Sequence, residues 1–558
     1  MTESSDPRPT EGGPMPGVNR RQLLGGRALV AGGAAFGSCP AGGDAPSPGG
    51  SPGGGRAATP LAPPLQPGAE IPPGQVEAAV ERLDALVAGI LAKSTVPGLA
   101  TAVVHKGKVL YAKGFGVRKV WSPGDVTPDT VFQIASMSKP IGATVVANQV
   151  TKGTVAWTTP VRRHLPEFVL KDPYVSAQLT IADLYAHRSG LPSHAGDLLE
   201  DLGYDRAQIL RRLRYLALQP YRISYNYTNF GMTAAAQAVA NAAGLDWASL
   251  SDRELYRPLG MTSTSSRFAD YEARAERAFT HVRIDGAWTA EYIRTPDEQS
   301  PAGGVSSSVN DLAKWMIMVL GDGTGADGQT IAPPEALTPA ITPQIVSAPA
   351  SAAAVRAGYY GYGFDVSVQS SGRTQLSHSG AFSAGTGTNV LLSPLEGFGV
   401  VTLTNGTPVG AAEALNQEFA DLAVYGQPVF DWWGLYSPAL GGLSQPFGHL
   451  AGKNPPTNPR PPADPRLLAG SYANDYVGTA IVEASGSRLA TLRLGPQRTP
   501  FALRHWDGDN YTYEPTGESA NPGSVSRVTF DRGASGRATS LTIEYYQQDG
   551  MGTFTRRL

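Results

Sequence analysis

One Ser-x-x-Lys occurs in the chain, Ser136-Met137-Ser138-Lys139, at the head of the run Ile141-Gly142-Ala143-Thr144-Val145-Val146-Ala147-Asn148-Gln149-Val150. The run is apolar enough to be a buried helix. Positions i and i+3 share a helix face, so Lys139 Nζ can reach Ser136 Oγ. A serine hydroxyl is a poor nucleophile at neutral pH, and a partly desolvated lysine can take its proton. At a first turn, free N–H groups and the helix dipole also favour developing negative charge. Pro140 fits that placement, because first-turn N–H groups have no intrahelical acceptor.

At 558 residues the chain is too long for one ordinary domain, and its 41% hydrophobic content supports large cores. The formal net charge is −2, with no basic block, which argues against a nucleic-acid partner. The single cysteine, Cys39, excludes an intrachain disulfide. No His-Glu-x-x-His and no Cys/His cluster occurs, so neither a metal nor a cofactor is expected.

The N-terminus reads as an export signal. Arg20-Arg21 precede the mildly apolar stretch Ala28–Ser38, in the manner of a twin-arginine signal. Phe36-Gly37-Ser38-Cys39 resembles a lipobox, although Phe36 is not its usual residue there. Cys39 would then be the lipidated first residue of the mature protein, held at a membrane surface outside the cytoplasm.

Composition divides the remainder. Residues 40–73 are rich in Gly, Pro, Ser and Ala and read as a disordered tether. Their Gly49-Gly50-Ser51-Pro52-Gly53 is a G-x-S-x-G without the strand–turn–helix that a nucleophile elbow needs. Helical periodicity begins near Val76. Strand-like runs follow at 98–105 and 109–117, joined through Lys106-Gly107-Lys108. The stretch 155–330 reads as helix and loop. Strands are expected at 362–368, 374–379, 387–392 and 399–405, then an amphipathic helix at 411–424. Strands from both ends of 74–430 suggest one α/β sheet with a helical insertion. The Pro/Gly-rich segment 431–464 reads as a linker. Alternating runs in 465–558 read as a small antiparallel β-domain.

Two further elements follow the Ser-x-x-Lys in order: Tyr227-Thr228-Asn229-Phe230-Gly231, and His378-Ser379-Gly380 on an expected strand. With Phe132-Gln133-Ile134-Ala135, His187-Arg188-Ser189-Gly190-Leu191-Pro192, Pro301-Ala302-Gly303-Gly304-Val305 and Tyr360-Gly361-Tyr362-Gly363, the chain resembles the serine β-lactamase/penicillin-binding-protein superfamily. The likeness is to its class C-like branch, which also holds esterases and D-aminopeptidases. It implies an antiparallel sheet flanked by helices with a helical subdomain, and a C-terminal lipocalin-like barrel. It assigns Ser136 as the acylated nucleophile, Lys139 as its activating partner and Tyr227 as the phenol that relays or accepts the proton. Asn229 would orient lysine and substrate, and the Ser136 and Ala381 N–H groups would form the oxyanion hole. The acylation base stays open between Lys139 and Tyr227. A second frame, Ser224-Tyr225-Asn226, mimics a Ser-x-Asn motif, but Phe230-Gly231 follow the Tyr227 frame.

His378-Ser379-Gly380 stands where β-lactamases and penicillin-binding proteins usually carry Lys-Thr-Gly. That lysine is a fixed cation for a substrate carboxylate, whereas an ordinary histidine titrates near 6.5. The resemblance therefore implies an esterase or D-amino-acid peptidase before a β-lactamase or D,D-carboxypeptidase. Its substrate would be a small ester, peptide or cell-wall-related molecule. A non-catalytic cell-envelope binding protein of the same fold is the alternative of another class. The intact Ser136, Lys139 and Tyr227 argue against it, since binding needs none of the three. The oligomeric state stays open.

Overall fold

The structure, a computed structural model, describes residues 70–557. The export signal, Cys39 and nearly all of the expected tether lie outside the described residues. Eight antiparallel strands form the central sheet, in the order Lys108–Gly116, Gly98–His105, Phe398–Thr404, Thr386–Ser393, Thr374–Phe382, Asp365–Val368, Gly358–Tyr360 and Ile345–Ala348. The first two strands close through Lys106 (φ 47°) and Gly107 (φ 75°). Two positive-φ residues make the primed turn that suits a twisted hairpin. This hairpin enters the sheet beside Phe398–Thr404, with Ala102 opposite Val401. Thr101 Oγ1 donates to Val401 O, 300 residues along the chain.

Strand alternation sends side chains to two cores. On one face Leu99, Val103, Leu391 and Val400 pack against the helices Leu83–Ser94 and Ala411–Tyr425 through Val87, Ile90, Leu415 and Phe419. On the other, Ala102, Val390, Leu392 and Val401 meet Ser138–Thr151 and Val309–Leu320. As its sequence predicts, the Ser138–Thr151 helix is buried on every side over Ser138–Gln149. Asn229–Ala243 packs beside it within the helical insertion.

Three features differ from expectation. The short strands Ile345–Ala348 and Gly358–Tyr360 extend the sheet past Asp365–Val368, and neither has enough apolar alternation to be read from sequence. The helix expected to begin near Val76 is broken at Arg82 into Gln75–Glu81 and Leu83–Ser94. The segment 431–464 is not all linker: it opens with the helix Trp432–Gly441, which buries Trp432, Tyr436 and Leu440. Pro438 and the flanking glycines masked that helix, and its aromatic spacing decides the outcome.

The C-terminal region is a nine-stranded antiparallel sheet running from Thr499–Ala502 to Arg504–Asp507. Leu503 alone separates these two end strands in the chain, and its N–H donates to Ala490 O at 2.9 Å, so the sheet curls into a nearly closed barrel. Tyr472, Leu492, Tyr511, Phe530, Leu541 and Phe554 fill its interior. Four of its strands, Gly470–Asn474, Thr499–Ala502, Arg504–Asp507 and Thr553–Arg556, are only four or five residues long.

Candidate active site

Ser136 occupies a single 3₁₀ turn, Ala135–Met137, directly before the Ser138–Thr151 helix. Ala135 is held at φ 48°, a costly conformation for a residue with a Cβ. The surroundings fix it: Thr388 Oγ1 donates to Ile134 O (2.9 Å), Ser138 Oγ donates to Ala135 O (2.6 Å), and Val305 N donates to Ser138 Oγ (2.9 Å). Ser138 is thereby sealed in the core, while Ser136 stays partly exposed.

Lys139 is buried, and its Nζ has three oxygen neighbours: Ser136 Oγ at 3.0 Å, Asn229 Oδ1 at 2.8 Å and Ala302 O at 2.9 Å. Tyr227 lies below, its ring centroid 4.4 Å from Nζ and its Oη donating to Ser136 Oγ at 2.8 Å. Burial pulls the lysine pKa well below its ordinary value, opposed by the charges of Asp197 and Asp365 and reinforced by Arg294. Burial drives the Tyr227 phenol pKa strongly upward. A neutral amine has two hydrogens and one lone pair. Asn229 Oδ1 and Ala302 O can take the hydrogens, leaving the lone pair for Ser136 Oγ–H. Tyr227, held as a neutral phenol, is placed as a donor to the same oxygen.

Aromatic packing fixes that phenol. His187 and His194 lie 4.6 Å and 5.6 Å from the Tyr227 ring, centroid to centroid, although Gly190 and Pro192 interrupt any helix between them. His194 N donates to Tyr227 O. Ser224-Tyr225-Asn226 is occupied otherwise: Ser224 Oγ bonds Pro220 O and Asn226 Nδ2, and Tyr225 packs on His187 and Tyr360.

The strand Thr374–Phe382 borders this group. His378 sits 6.4 Å from the Tyr227 ring. Its Nδ1 lies 2.7 Å from Ser379 O and its Nε2 3.0 Å from Tyr360 Oη. Only the Nδ1–H tautomer satisfies both, with Nε2 accepting from the phenol. Burial, then the nearby Lys139, push His378 down to about 3, so the ring is neutral at pH 7. A Cβ on Gly380 would fall 2.1 Å from Ile134 O, so only glycine lets the strand pass this close to the Ser136 turn. Ser379 is turned away. Its Oγ accepts from Asn389 Nδ2 (3.1 Å) and bonds Glu413 on the opposite sheet face. Its side chain thus does not join the Ser136 group. Ala381 lies in the same strand, packed with Leu440 and Leu443.

The structure thus gathers Ser136, Lys139, Tyr227, Asn229, His378 and Gly380. It adds partners to which the sequence assigned no role: Ala302 O, Asp197, Tyr360 and the two histidines on Tyr227. The Pro301-Ala302-Gly303-Gly304 stretch stood out as a flanking motif, but a role played by a carbonyl leaves no residue type to read. Among the described residues no group of three or more His, Cys, Asp or Glu could hold a metal ion.

A serine that faces a dehydrated amine and a phenol, between a sheet and a helical insertion, is the arrangement of a serine hydrolase. The chain belongs to the Beta-lactamase family, whose model matches residues 83–425. A domain of unknown function, DUF3471, matches 454–553. Unguisins hydrolase ungD′ of Aspergillus campestris is 28% identical over 401 residues, 68% of this chain and 72% of the relative. Penicillin-binding protein 4 of Amycolatopsis lactamdurans is 28% identical, covering 71% of this chain and 97% of its own. The octameric penicillin-binding protein homologue from Pyrococcus abyssi shares the fold, with TM-score 0.56 and 19% identity over 83% of this chain and 98% of that one.

Proposed function

We propose that the protein is an exported serine hydrolase for neutral esters or amides, of esterase or D-amino-acid peptidase type. The observation that carries this reading is His378. It takes the place of a fixed cation, and its imidazole is neutral, buried and bonded at both nitrogens. A substrate carboxylate gains no ionic anchor from it, which disfavours penicillins and D,D-carboxypeptidase substrates.

In the proposed cycle Ser136 Oγ attacks the carbonyl carbon and its proton passes to the Lys139 lone pair. The oxyanion forms at the N–H groups of Ser136 and Ala381. The proton then reaches the leaving group through Tyr227 Oη, the carbonyl re-forms and the acyl-enzyme remains. Water repeats the sequence in deacylation. Export through the twin-arginine signal and anchoring by acylated Cys39 complete the proposal. Cys39→Ala should release soluble protein, and Arg20→Lys with Arg21→Lys should retain precursor inside the cell. A Cys39→Ala protein as membrane-bound as wild type would overturn the anchor.

The catalytic reading is tested by mass spectrometry after exposure to a fluorophosphonate, and by kcat/KM for p-nitrophenyl butyrate and a penicillin. The label should sit on Ser136, Ser136→Ala should lose about 10³-fold in turnover, and the ester should be preferred. His378→Lys should move preference towards the penicillin. Penicillin as the best wild-type substrate, or an unchanged ratio in His378→Lys, would overturn it.

A further inference from the structure

Asn229 faces Lys139 with an oxygen, yet an amide can as easily present its NH₂ there. The choice is made one bond further out. Asn229 Nδ2 donates to Asp197 Oδ2 at 3.0 Å, and the same oxygen lies 2.9 Å from His194 Nδ1. A carboxylate only accepts, so Asp197 forces the NH₂ towards itself and Oδ1 towards Nζ. With the amide reversed, two donors would meet, and the Lys139 lone pair would turn from Ser136 to the Asn229 NH₂.

Asp197 begins the short helix Asp197–Asp201, and the C-terminal barrel grips that helix at both ends. At its start, Gly196 N donates to Tyr476 Oη at 2.9 Å. At its end, Asp201 accepts from Glu518 N (2.9 Å) and Ser519 N (3.0 Å). The same loop reaches the strand that carries His378: Ser383 N donates to Glu518 Oε1 at 2.5 Å. Arg294 pairs with Glu200 (2.6 Å) and Glu518 (3.4 Å), tying the helix and the loop together.

We propose that Asp197 is a positioning residue for Lys139, acting through the orientation of Asn229, and that the C-terminal barrel holds Asp197 in place through Tyr476 and the Glu518–Ser519 loop. The inference rests on the reading of Lys139 as the proton acceptor for Ser136. It gives the barrel a part in catalysis without any contact with substrate.

The charged and titratable groups about Lys139 are Asp197 and Asp365, which hold its pKa up, and Arg294, which lowers it. His187, His378 and the Tyr227 phenol complete the surroundings, each with its neutral form favoured by burial. About Asp197 stand His194, Asn229, Arg294 and, on its own helix, Glu200 and Asp201. Removing the Asp197 charge therefore lowers the Lys139 pKa further and also releases the amide.

The test follows the rate of fluorophosphonate labelling of Ser136 against pH, with full-length protein, in wild type, Asp197→Asn, Asp197→Ala, Tyr476→Phe and Ser136→Ala. Asp197→Asn should lower the plateau roughly 10- to 100-fold and move the acid limb to lower pH. Asp197→Ala should lower the plateau at least as far. Tyr476→Phe, which leaves every charge in place, should lower it about 3- to 10-fold with the limb unmoved. A merely structural role for Asp197 would change the folded fraction and leave the limb where it is. If Ser136→Ala abolishes labelling while Asp197→Asn matches wild type, or its limb moves to higher pH, the positioning role is wrong. If Tyr476→Phe matches wild type, the barrel has no part in it. Labelling that survives in Ser136→Ala overturns the catalytic reading itself.

Discussion

Ser136 and Ser138 stand two positions apart in opposite surroundings. Ser136 Oγ meets an amine and a phenol at the edge of solvent, whereas Ser138 Oγ joins Ala135 O to Val305 N inside the core. Ser138→Ala should therefore cost about 1–3 kcal/mol of stability, because Val305 N–H is left buried without its acceptor. The label should still fall on Ser136. Urea denaturation and peptide mapping check both, and a label lost together with unchanged stability would contradict the division of labour. The residues that sequence revealed are those whose chemistry is local or ordered. Ser136 and Lys139 lie one turn apart, and Tyr227 and Asn229 share one motif. Asp197 and Tyr360 were not legible, since an aspartate after His194-Ala195-Gly196 and a tyrosine in a turn-like repeat take meaning only from what folds against them. The charge state of His378 was likewise open until Tyr360 Oη was placed on its Nε2.

At the scale of elements, the strand Thr374–Phe382 and the turn before Ser138–Thr151 are matched to within a methyl group. Gly380→Ala must push the strand off Ile134 O, which lies 2.1 Å from the added Cβ. A loss of about 1–3 kcal/mol is expected, with a fall in kcat/KM of roughly 100-fold as the proposed Ala381 N–H donor shifts away from Ser136. Thermal melts and ester hydrolysis measure these, and a variant normal in both would refute the close fit. On the opposite face Glu413, at the start of Ala411–Tyr425, is raised to about 7 by burial, opposed by its own backbone N–H and Ser379. A raised carboxyl stabilises fully below its unfolded pKa of about 4.5, and the contribution disappears as pH rises through about 7. Glu413→Gln should therefore gain on wild type between pH 5 and pH 8, by about 3 kcal/mol. Urea titrations at the two pH values test this, and a pH-independent difference would sink it. The long strands of the central sheet were legible because alternation, in Thr374–Phe382, or an unbroken buried run, in Thr386–Ser393 and Phe398–Thr404, extends over seven to nine residues. The three- and four-residue strands beyond Asp365 are made by pairing with a neighbour, so the information lies in the neighbour.

At the scale of the whole molecule, the barrel is built into the hydrolase. Arg212 Nη1 donates to Asp475 O and Tyr476 O, Tyr204 Oη donates to Val477 O, and Asn521 Nδ2 donates to Leu443 O and Gln445 O. Residues 452–462 between them are exposed, and Lys453, followed by Asn454, offers trypsin a cleavable bond there, whereas Arg460 precedes Pro461. Trypsin should cut there first, and the two fragments should still elute together, with esterase activity within about threefold of intact protein because every interface contact survives. Fragments that separate on gel filtration would show the grip to be weaker than its hydrogen bonds suggest.

The pairing of Gly98–His105 with Phe398–Thr404 also sets a timetable. The hairpin made first by the ribosome has no neighbour on that side until some 300 further residues have emerged. Its Leu99 and Val103 can meet Val87 and Ile90 at once but wait for Leu415 and Phe419. Contacts this distant in sequence make for slow closure and a long-lived, sticky intermediate. The barrel, synthesised last, then locks a site whose parts were all made long before it. A truncated nascent chain should stay bound to holdase chaperones until its stop point passes Thr404, and release should come with completion of the sheet.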